Sequence, residues 1–284
     1  MRRLLRVVLT TVLLLAGLAA VTRQVLYVKT QHAGFDCQPP GRTRPSDLGL
    51  RFDSLKIASG ARALDAWWVP AEAPDSGAVA LFHGNAENTS DWLAAARLLH
   101  GHHLSVLLFD YSGYGRSTGS PSINFVIEDG VNALREFARR APRGLPRTGV
   151  GLSLGAAVLM EANARHPGAL DRVVLMEPFS SGRAVAVHLK LLPGWLASWM
   201  PDALDNVRLA RSMTVPLLVV HSRADAKFPV SFAEEIQWAA RAPSRLVVLD
   251  GFEHAAARKH PSEAYWGSIV AFATAPKAPP RFTH

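Results

Sequence analysis

Beyond about residue 45, the chain alternates between short apolar runs and longer amphipathic segments. Six runs are apolar without alternation, which is typical of strands buried on both faces of a sheet. The amphipathic segments between and after them have the apolar spacing of helices. This order predicts a mostly parallel, doubly wound α/β sheet with helices on both faces. The apolar runs are 78–82, 105–109, 148–152, 173–176, 215–220 and 246–249, and the amphipathic segments are 91–100, 123–140, 154–165, 232–241 and 262–273.

Two further apolar segments precede this alternation and flank a short turn. Residues 50–58 and 63–69 have the composition of strands, and Ser59-Gly60 between them favours a reversal of chain direction. Because so short a connection joins neighbouring antiparallel strands, we expect a hairpin at one edge of the sheet. Together with the six buried runs, this gives a predicted sheet of eight strands.

The first 29 residues contain the longest apolar stretch of the chain. Three arginines precede an apolar run at 7–21, and residues 25–28 continue it beyond Arg23. The run suits a membrane helix or the core of a signal peptide. We favour an uncleaved anchor, because the small residues at 16–20 do not form a clean cleavage signal. The positive amino end places the N-terminus in the cytoplasm, so we expect a single-pass membrane protein with an extracytoplasmic domain.

The rest of the chain divides into a linker and one globular domain. Prolines and a glycine within residues 30–47 predict a linker between the anchor at 1–29 and a domain at 48–284. An insert at about 181–214 is rich in large apolar residues, among them Trp195 and Trp199, and we expect a small helical cap there. An apolar cap indicates an acyl or aromatic group in the pocket. The alternative is that these side chains pack on the core or on a membrane.

The overall composition narrows the classes of function. The chain has 284 residues, 49% of them apolar and 19% charged, which suits one domain with a large core. The net charge of +8 comes from scattered arginines without interleaved aromatic residues, which favours proximity to a membrane over nucleic-acid binding. The single cysteine, Cys37, excludes an internal disulfide. Histidines and carboxylates lack metal-ligand spacing, so we expect no metal and no cofactor. The oligomeric state stays open.

The sequence Gly-Leu-Ser-Leu-Gly at 151–155 is the strongest candidate for chemistry. It follows an apolar strand and opens an alanine-rich helix, which is the context of a nucleophile elbow. Glycines allow the sharp turn, and the helix N-terminus favours a developing negative charge at Ser153. We therefore predict Ser153 as the nucleophile; the alternative is a serine that only caps the helix.

A serine nucleophile needs a general base that an acid holds in place. In this fold the chain order is Ser, then Asp or Glu, then His, with each group after a strand. Asp225 follows the run at 215–220, and His254 follows the run at 246–249. We predict His254 as the base and Asp225 as the acid. Glu177 and Asp250 remain alternative acids.

An oxyanion hole needs two backbone N–H groups aimed at the carbonyl oxygen of the substrate. Leu154, directly after the nucleophile, supplies one. The second is expected in the loop at 83–88, where Gly84 permits a tight turn, and we assign it to Asn85. The Asn85 side chain is a further candidate donor. An ordinary strand-to-helix turn is the alternative.

Taken together, these motifs resemble the membrane-anchored α/β-hydrolase-domain proteins. That group includes the bud-emergence-type and depalmitoylase-like hydrolases, which are related to the prolyl-oligopeptidase-like serine hydrolases. The resemblance rests on residues 83–88, 110–117, 151–155, 177–181, Asp225 with Phe228-Pro229, and His254. Two positions depart from the usual pattern, because Ala156 and Ser222 stand where the group has glycine.

The resemblance implies an α/β-hydrolase fold and a Ser-Asp-His triad of Ser153, Asp225 and His254. It implies a serine hydrolase (esterase, thioesterase or peptidase-like) that acts on a small-molecule or acyl substrate. The reaction would cleave an ester, thioester or amide bond through an acyl-enzyme. An acyltransferase with the same triad and a non-catalytic scaffold of this fold are the alternatives. The resemblance does not identify the natural substrate.

Overall fold

The computed structural model describes residues 2–199, 202–259 and 261–276 of the chain. Eight strands form one sheet in the order β1-β2-β4-β3-β5-β6-β7-β8. The pairs β1–β2 and β2–β4 are antiparallel, and the other five pairs are parallel. The prediction of a mostly parallel eight-stranded sheet with an edge hairpin is confirmed. The strands are β1 (Asp53–Ser59), β2 (Arg62–Val69), β3 (Gly77–Phe82), β4 (Leu104–Phe109), β5 (Arg147–Leu152), β6 (Arg172–Met176), β7 (Leu217–Ser222) and β8 (Ser244–Leu249).

Helices cover both faces of the sheet. Helices α3, α4 and α8 pack on one face, and α2 and α10 pack on the other, so that two apolar clusters enclose the strands. Strands β3 and β4 are buried along their whole length, which explains why their sequences are apolar at every position. The helices are α1 (Arg2–His32), α2 (Leu93–Gly101), α3 (Ile123–Arg140), α4 (Leu154–Arg165), α5 (Gly182–His188), α6 (Gly194–Trp199), α7 (Asn206–Ala210), α8 (Val230–Ala239), α9 (Ala256–Lys259) and α10 (Glu263–Thr274).

The bounds of β7 differ from those predicted. The apolar run was expected to begin the strand at 215, but β7 begins at Leu217 and continues through His221 and Ser222. Pro216 has no N–H to give to a neighbouring strand, so it is poorly suited to the interior of a strand. His221 and Ser222 are polar and yet fully buried. The hydrophobic pattern alone therefore ended this strand too early.

Helix α1 is the apolar element at the amino end. Its residues Arg3–Leu26 form an apolar span of 24 residues, long enough to cross a membrane, and none of that span is buried in the protein. The helix ends at His32, whose Nδ1 lies 3.0 Å from the carbonyl oxygen of Pro121 at the start of α3. An extended segment at 35–41 and a 3₁₀ turn at Pro45–Leu48 then lead to β1.

The predicted cap contains the short helices α5 and α6. The Trp195 side chain in α6 is 75% exposed and that of Trp199 is 36% exposed, so both face solvent to a large extent. Leu191 between the two helices is 67% exposed. The described cap thus presents its large apolar side chains outward, whereas we expected them to line a pocket. Met200 and Pro201, also in the predicted cap, lie outside the described residues.

Candidate active site

Ser153 occupies a strained turn between β5 and α4. Its φ is +53°, a conformation that residues with a side chain rarely adopt. A Cβ on Gly151 would lie 2.5 Å from the carbonyl oxygen of Gly155, and a Cβ on Gly155 would overlap the carbonyl oxygen of Phe82. The two glycines therefore let α4 start against β5 and β3, which leaves Ser153 at the amino end of the helix. The neighbouring Ala156 is fully buried, so the fold accommodates this departure from glycine.

His254 and Asp225 form a hydrogen-bonded pair. Nδ1 of His254 lies 2.8 Å from Oδ2 of Asp225. The other oxygen, Oδ1, accepts the N–H groups of Lys227 at 2.8 Å and Phe228 at 3.0 Å. Burial raises the pKa of Asp225, but the hydrogen bonds from His254 and from the two N–H groups outweigh it and hold that pKa below its usual range. Asp225 is thus an ionised acceptor that fixes which imidazole nitrogen carries the proton.

Ser153, Asp225 and His254 follow the carboxyl ends of β5, β7 and β8, which lie at one edge of the sheet. The N–H of Ser153 donates to the carbonyl oxygen of Met176, the last residue of β6. The next residue, Glu177, donates its N–H to Val220 of β7. Glu177 also lies beside the imidazole, with Oε2 at 3.4 Å from Nδ1 of His254. The residue after the Ser153 hydrogen-bond partner is therefore a direct neighbour of the His254 imidazole.

The Glu177 carboxylate holds the histidine loop to the sheet. Oε2 accepts the N–H of Ala255 at 2.5 Å, and Oε1 accepts the Tyr265 hydroxyl at 2.9 Å. Glu177 is fully buried, with a φ of +46°. Burial raises its pKa to about 7, although the hydrogen bond from Ala255 and the charge of His254 oppose the shift. The sequence indicated Glu177 as an alternative acid, but nothing in it indicated that Ala255 and Tyr265 would donate hydrogen bonds to Glu177.

Replacing Glu177 with Gln should change how stability depends on pH. A buried acid with a raised pKa contributes most to the free energy of unfolding below its ordinary pKa of 4.5, and the contribution is lost as pH rises through about 7. Glutamine does not ionise. The wild-type free energy of unfolding should therefore fall relative to Glu177→Gln between about pH 5 and pH 7, by at most about 1.4 kcal/mol per pH unit.

Denaturant unfolding of both proteins across this pH range measures the difference. Glu253→Gln is the matched control, because Glu253 precedes His254 but is exposed. The free energy of unfolding of wild type should not show this fall relative to Glu253→Gln. The free energies of unfolding of wild type and Glu177→Gln could instead differ by a constant amount from about pH 5 to pH 8. That result would show that Glu177 is not a buried acid of raised pKa.

The structure also collects three groups that are able to bind a cation. One ligand atom each from Glu177, Asp225 and His254 lie within 4.8 Å of one another. The sequence spacing gave no sign of this cluster, because strands distant along the chain supply its members. The same atoms already hold the N–H of Ala255 and the Nδ1 of His254. These contacts account for the cluster without a cation, because its two carboxylates hold the imidazole and the loop of His254 in place.

Two other buried side chains stabilise the loops around this pair. Nε2 of His221 lies 3.1 Å from the carbonyl oxygen of Phe228 and 3.5 Å from Oδ2 of Asp225. Oγ of Ser222, the second departure from glycine, accepts the N–H groups of Ala224 and Phe252, each at 3.2 Å. Ser222 thus joins the loop of the acid to the loop of the base, which a glycine would not do.

The loop after β3 is held by hydrogen bonds and an ion pair on the other side of Ser153. The buried carboxylate of Glu87 accepts the N–H of Gly84 at 2.7 Å and the indole N–H of Trp92 at 2.9 Å. It also pairs with Arg258 of α9 at 2.8 Å. Nδ1 of His83 lies 2.7 Å from the carbonyl oxygen of Gly84, and burial lowers the pKa of His83 to about 4. Glu87 therefore ties this loop to the segment that follows His254.

Both predicted oxyanion donors lie next to the carboxyl ends of neighbouring strands. Leu154 is the first residue of α4, and Asn85 lies in the loop after β3, which is parallel to β5. Within residues 2–199, 202–259 and 261–276, neither N–H donates a hydrogen bond to another protein group. The Asn85 side chain is occupied, because its Oδ1 accepts the Tyr114 hydroxyl at 2.7 Å and its Nδ2 donates to Gly34 at 2.6 Å. Only the backbone N–H of Asn85 is left to meet a substrate.

Comparison with known proteins places the chain among hydrolases. The Hydrolase_4 family, described as serine aminopeptidase, S33, matches residues 73–209. An uncharacterized protein of Mycobacterium tuberculosis is 36% identical over 194 residues, which cover 67% of this chain and 68% of that protein. The chain is an α/β-hydrolase-domain protein. Human Protein ABHD12B is 26% identical over 231 residues, or 71% of this chain and 62% of that protein.

A solved structure gives the same fold. The Pyrococcus furiosus esterase Pf2001 has a TM-score of 0.68 at 19% identity and covers 84% of this chain and 98% of its own. The predicted resemblance is confirmed at the level of an α/β-hydrolase domain, whereas the narrower bud-emergence or depalmitoylase group stays a prediction. The family match includes Ser153 and Asn85 but ends before Asp225 and His254. The roles of those two residues therefore rest on their geometry.

Proposed function

We propose that this α/β-hydrolase cleaves an ester, thioester or amide bond by forming a covalent acyl-enzyme on Ser153. One observation carries the proposal: the imidazole of His254 is hydrogen-bonded at Nδ1 to the ionised Asp225, at the sheet edge where the elbow presents Ser153. An acid that holds Nδ1 leaves Nε2 free to accept a proton from a hydroxyl.

The reaction would proceed in two halves. Oγ of Ser153 attacks the carbonyl carbon while Nε2 of His254 takes the hydroxyl proton, and the N–H groups of Asn85 and Leu154 stabilise the oxyanion. The protonated imidazole then gives that proton to the departing alcohol, thiol or amine. Water then attacks the acyl carbon and gives a proton to His254. The bond between that carbon and Oγ breaks, His254 returns the proton to Oγ, and the carboxylic acid is released.

Solved structures of the same fold support an ester as the substrate. Several solved structures of this fold are esterases, including Pf2001 and EaEST from Exiguobacterium antarcticum. We therefore infer a small-molecule or acyl ester as substrate, without a nucleic-acid partner. An acyltransferase would use the same triad with an alcohol or amine in place of water. A scaffold without activity would not need the ionised Asp225 beside His254.

We further propose that α1 anchors the domain in a membrane. Its 24-residue apolar span is wholly exposed, so the fold gives it no apolar partner. Arg2, Arg3 and Arg6 at the amino end of the helix support an extracytoplasmic position of the domain. A signal peptide that is removed after export is the alternative.

A fluorophosphonate probe tests both proposals in one experiment. It should label the wild-type protein, and peptide mapping should locate the adduct at Ser153. The intact mass of the labelled protein should still include α1. Absence of any adduct would reject the acyl-enzyme, and an adduct on another residue would reject Ser153. A mass that lacks the first 20 or so residues would replace the anchor with a signal peptide.

A further inference from the structure

The segment between α1 and β1 lies against the candidate oxyanion loop. The carbonyl oxygen of Gly34 accepts Nδ2 of Asn85 at 2.6 Å, and the N–H of Asp36 donates to Oδ1 of Asn85 at 3.3 Å. The Tyr114 hydroxyl donates to the same oxygen at 2.7 Å. Every hydrogen-bonding atom of this amide side chain thus has a partner, and two of the three partners belong to the segment that leaves the membrane helix.

Further contacts hold the segment along its length. Gln38 accepts the N–H of Gly115 at 3.0 Å through its carbonyl oxygen. The carbonyl oxygen of Pro39 accepts Nδ2 of Asn88 at 2.9 Å, which is a second bond to the same loop. Phe35 and Cys37 alternate with exposed residues and pack against the apolar core. The segment is therefore held by two inward side chains, Phe35 and Cys37, and by hydrogen bonds to Asn85, Asn88 and Gly115.

This arrangement matters because Asn85 has one N–H to aim at the substrate. A donor to the oxyanion acts only if it is held near hydrogen-bond distance from the developing charge, and losing one costs about 10²- to 10³-fold in rate. The Asn85 side chain and backbone share one Cα, so fixing the amide also restricts the direction of the N–H. Residues 34–39 are thus in a place to set that direction.

We propose that Gly34–Pro39 is a positioning segment of the active site, which holds the Asn85 side chain so that the Asn85 N–H faces the substrate oxyanion. The proposal rests on the proposed hydrolase function and adds a role for the membrane-proximal segment. Asn85 then acts in two ways: its N–H contacts the substrate, and its side chain connects the oxyanion loop to the segment.

The test uses the full chain in detergent and hydrolysis of p-nitrophenyl acetate. Asp36→Pro removes the N–H that bonds to Asn85, since proline has none. Asn85→Ala removes the amide but keeps its backbone N–H. Each should lower kcat about 10- to 100-fold with little change in KM, because the contact acts on the transition state. The double variant should be no slower than the slower single one, because both remove the same contact.

Arg42→Pro is the matched control. It makes the same kind of change at an exposed residue in the same connection between α1 and β1, and the Arg42 N–H makes no hydrogen bond within the described residues. Thermal unfolding midpoints identify any variant that fails to fold. Asp36→Pro removes the donor of the hydrogen bond, and Asn85→Ala removes its acceptor. Full kcat in folded Asp36→Pro or Asn85→Ala, or additive losses in the double variant, would overturn the positioning role alone. A wild type that neither hydrolyses the ester nor reacts with the fluorophosphonate would overturn the proposed function and this role with it.

Discussion

Ser153→Ala should lower kcat/KM for a p-nitrophenyl ester by about 10⁴- to 10⁶-fold. Alanine leaves the sheet, the oxyanion N–H groups and His254 in place, but no atom remains to form the acyl-enzyme. The loss should be almost entirely in kcat. The residual rate would come from water held at the site, because the oxyanion hole still stabilises the transition state.

The control for this change is another serine replaced in the same way. Ser120 lies in an exposed loop, so Ser120→Ala should keep wild-type kinetics. Thermal unfolding of both variants should match the wild type, since the elbow glycines and not the hydroxyl determine the turn. If Ser153→Ala retained more than about a tenth of wild-type kcat/KM, Ser153 would not be the nucleophile.

Asp225→Asn should lower kcat by about 10³- to 10⁴-fold through the wrong tautomer of His254. The N–H groups of Lys227 and Phe228 bond to Oδ1, so an asparagine would keep its carbonyl oxygen there. Its amide NH₂ would then replace Oδ2 and donate to Nδ1 of His254. The imidazole proton would have to move to Nε2, where it would prevent His254 from accepting the proton of Ser153.

Glu177 is the other acid close to His254, because its Oε2 lies 3.4 Å from Nδ1 of the imidazole. Comparing Asp225→Asn with Glu177→Gln therefore shows which acid orients His254. Glu177→Gln alone should cost much less than Asp225→Asn. Asp250→Asn is the control, since Asp250 was a rival acid in the sequence and is exposed in the structure. If Asp225→Asn stayed within about tenfold of wild type while Glu177→Gln lost about 10³-fold, Glu177 would be the acid that orients His254.

The sequence predicted the fold well because most strands are buried on both faces. Helices α3 and α4 begin and end where the apolar spacing placed them. The pattern was less informative at β8, where the sequence run began at 246 but the strand begins at Ser244. As an edge strand, β8 is only partly buried and tolerates polar residues such as Arg245.

The candidate site was predictable only in part. Chain order and position after strands led to Ser153, Asp225 and His254, which the structure brings to one edge of the sheet. The supporting contacts were not predictable, because many of them use backbone atoms that every residue has. Gly34, Gln38 and Pro39 accept hydrogen bonds through carbonyl oxygens, so no side-chain pattern marks the segment. The pairs Glu87–Arg258 and Glu177–Tyr265 join positions far apart along the chain, which one sequence does not reveal.

The position of His254 after β8 has a consequence for synthesis of the protein. The nucleophile and both oxyanion donors leave the ribosome well before the base, which follows the last strand of the sheet. A nascent or truncated chain without β8 has no group to take the proton of Ser153. The proposed triad would therefore be complete only after all eight strands have been made.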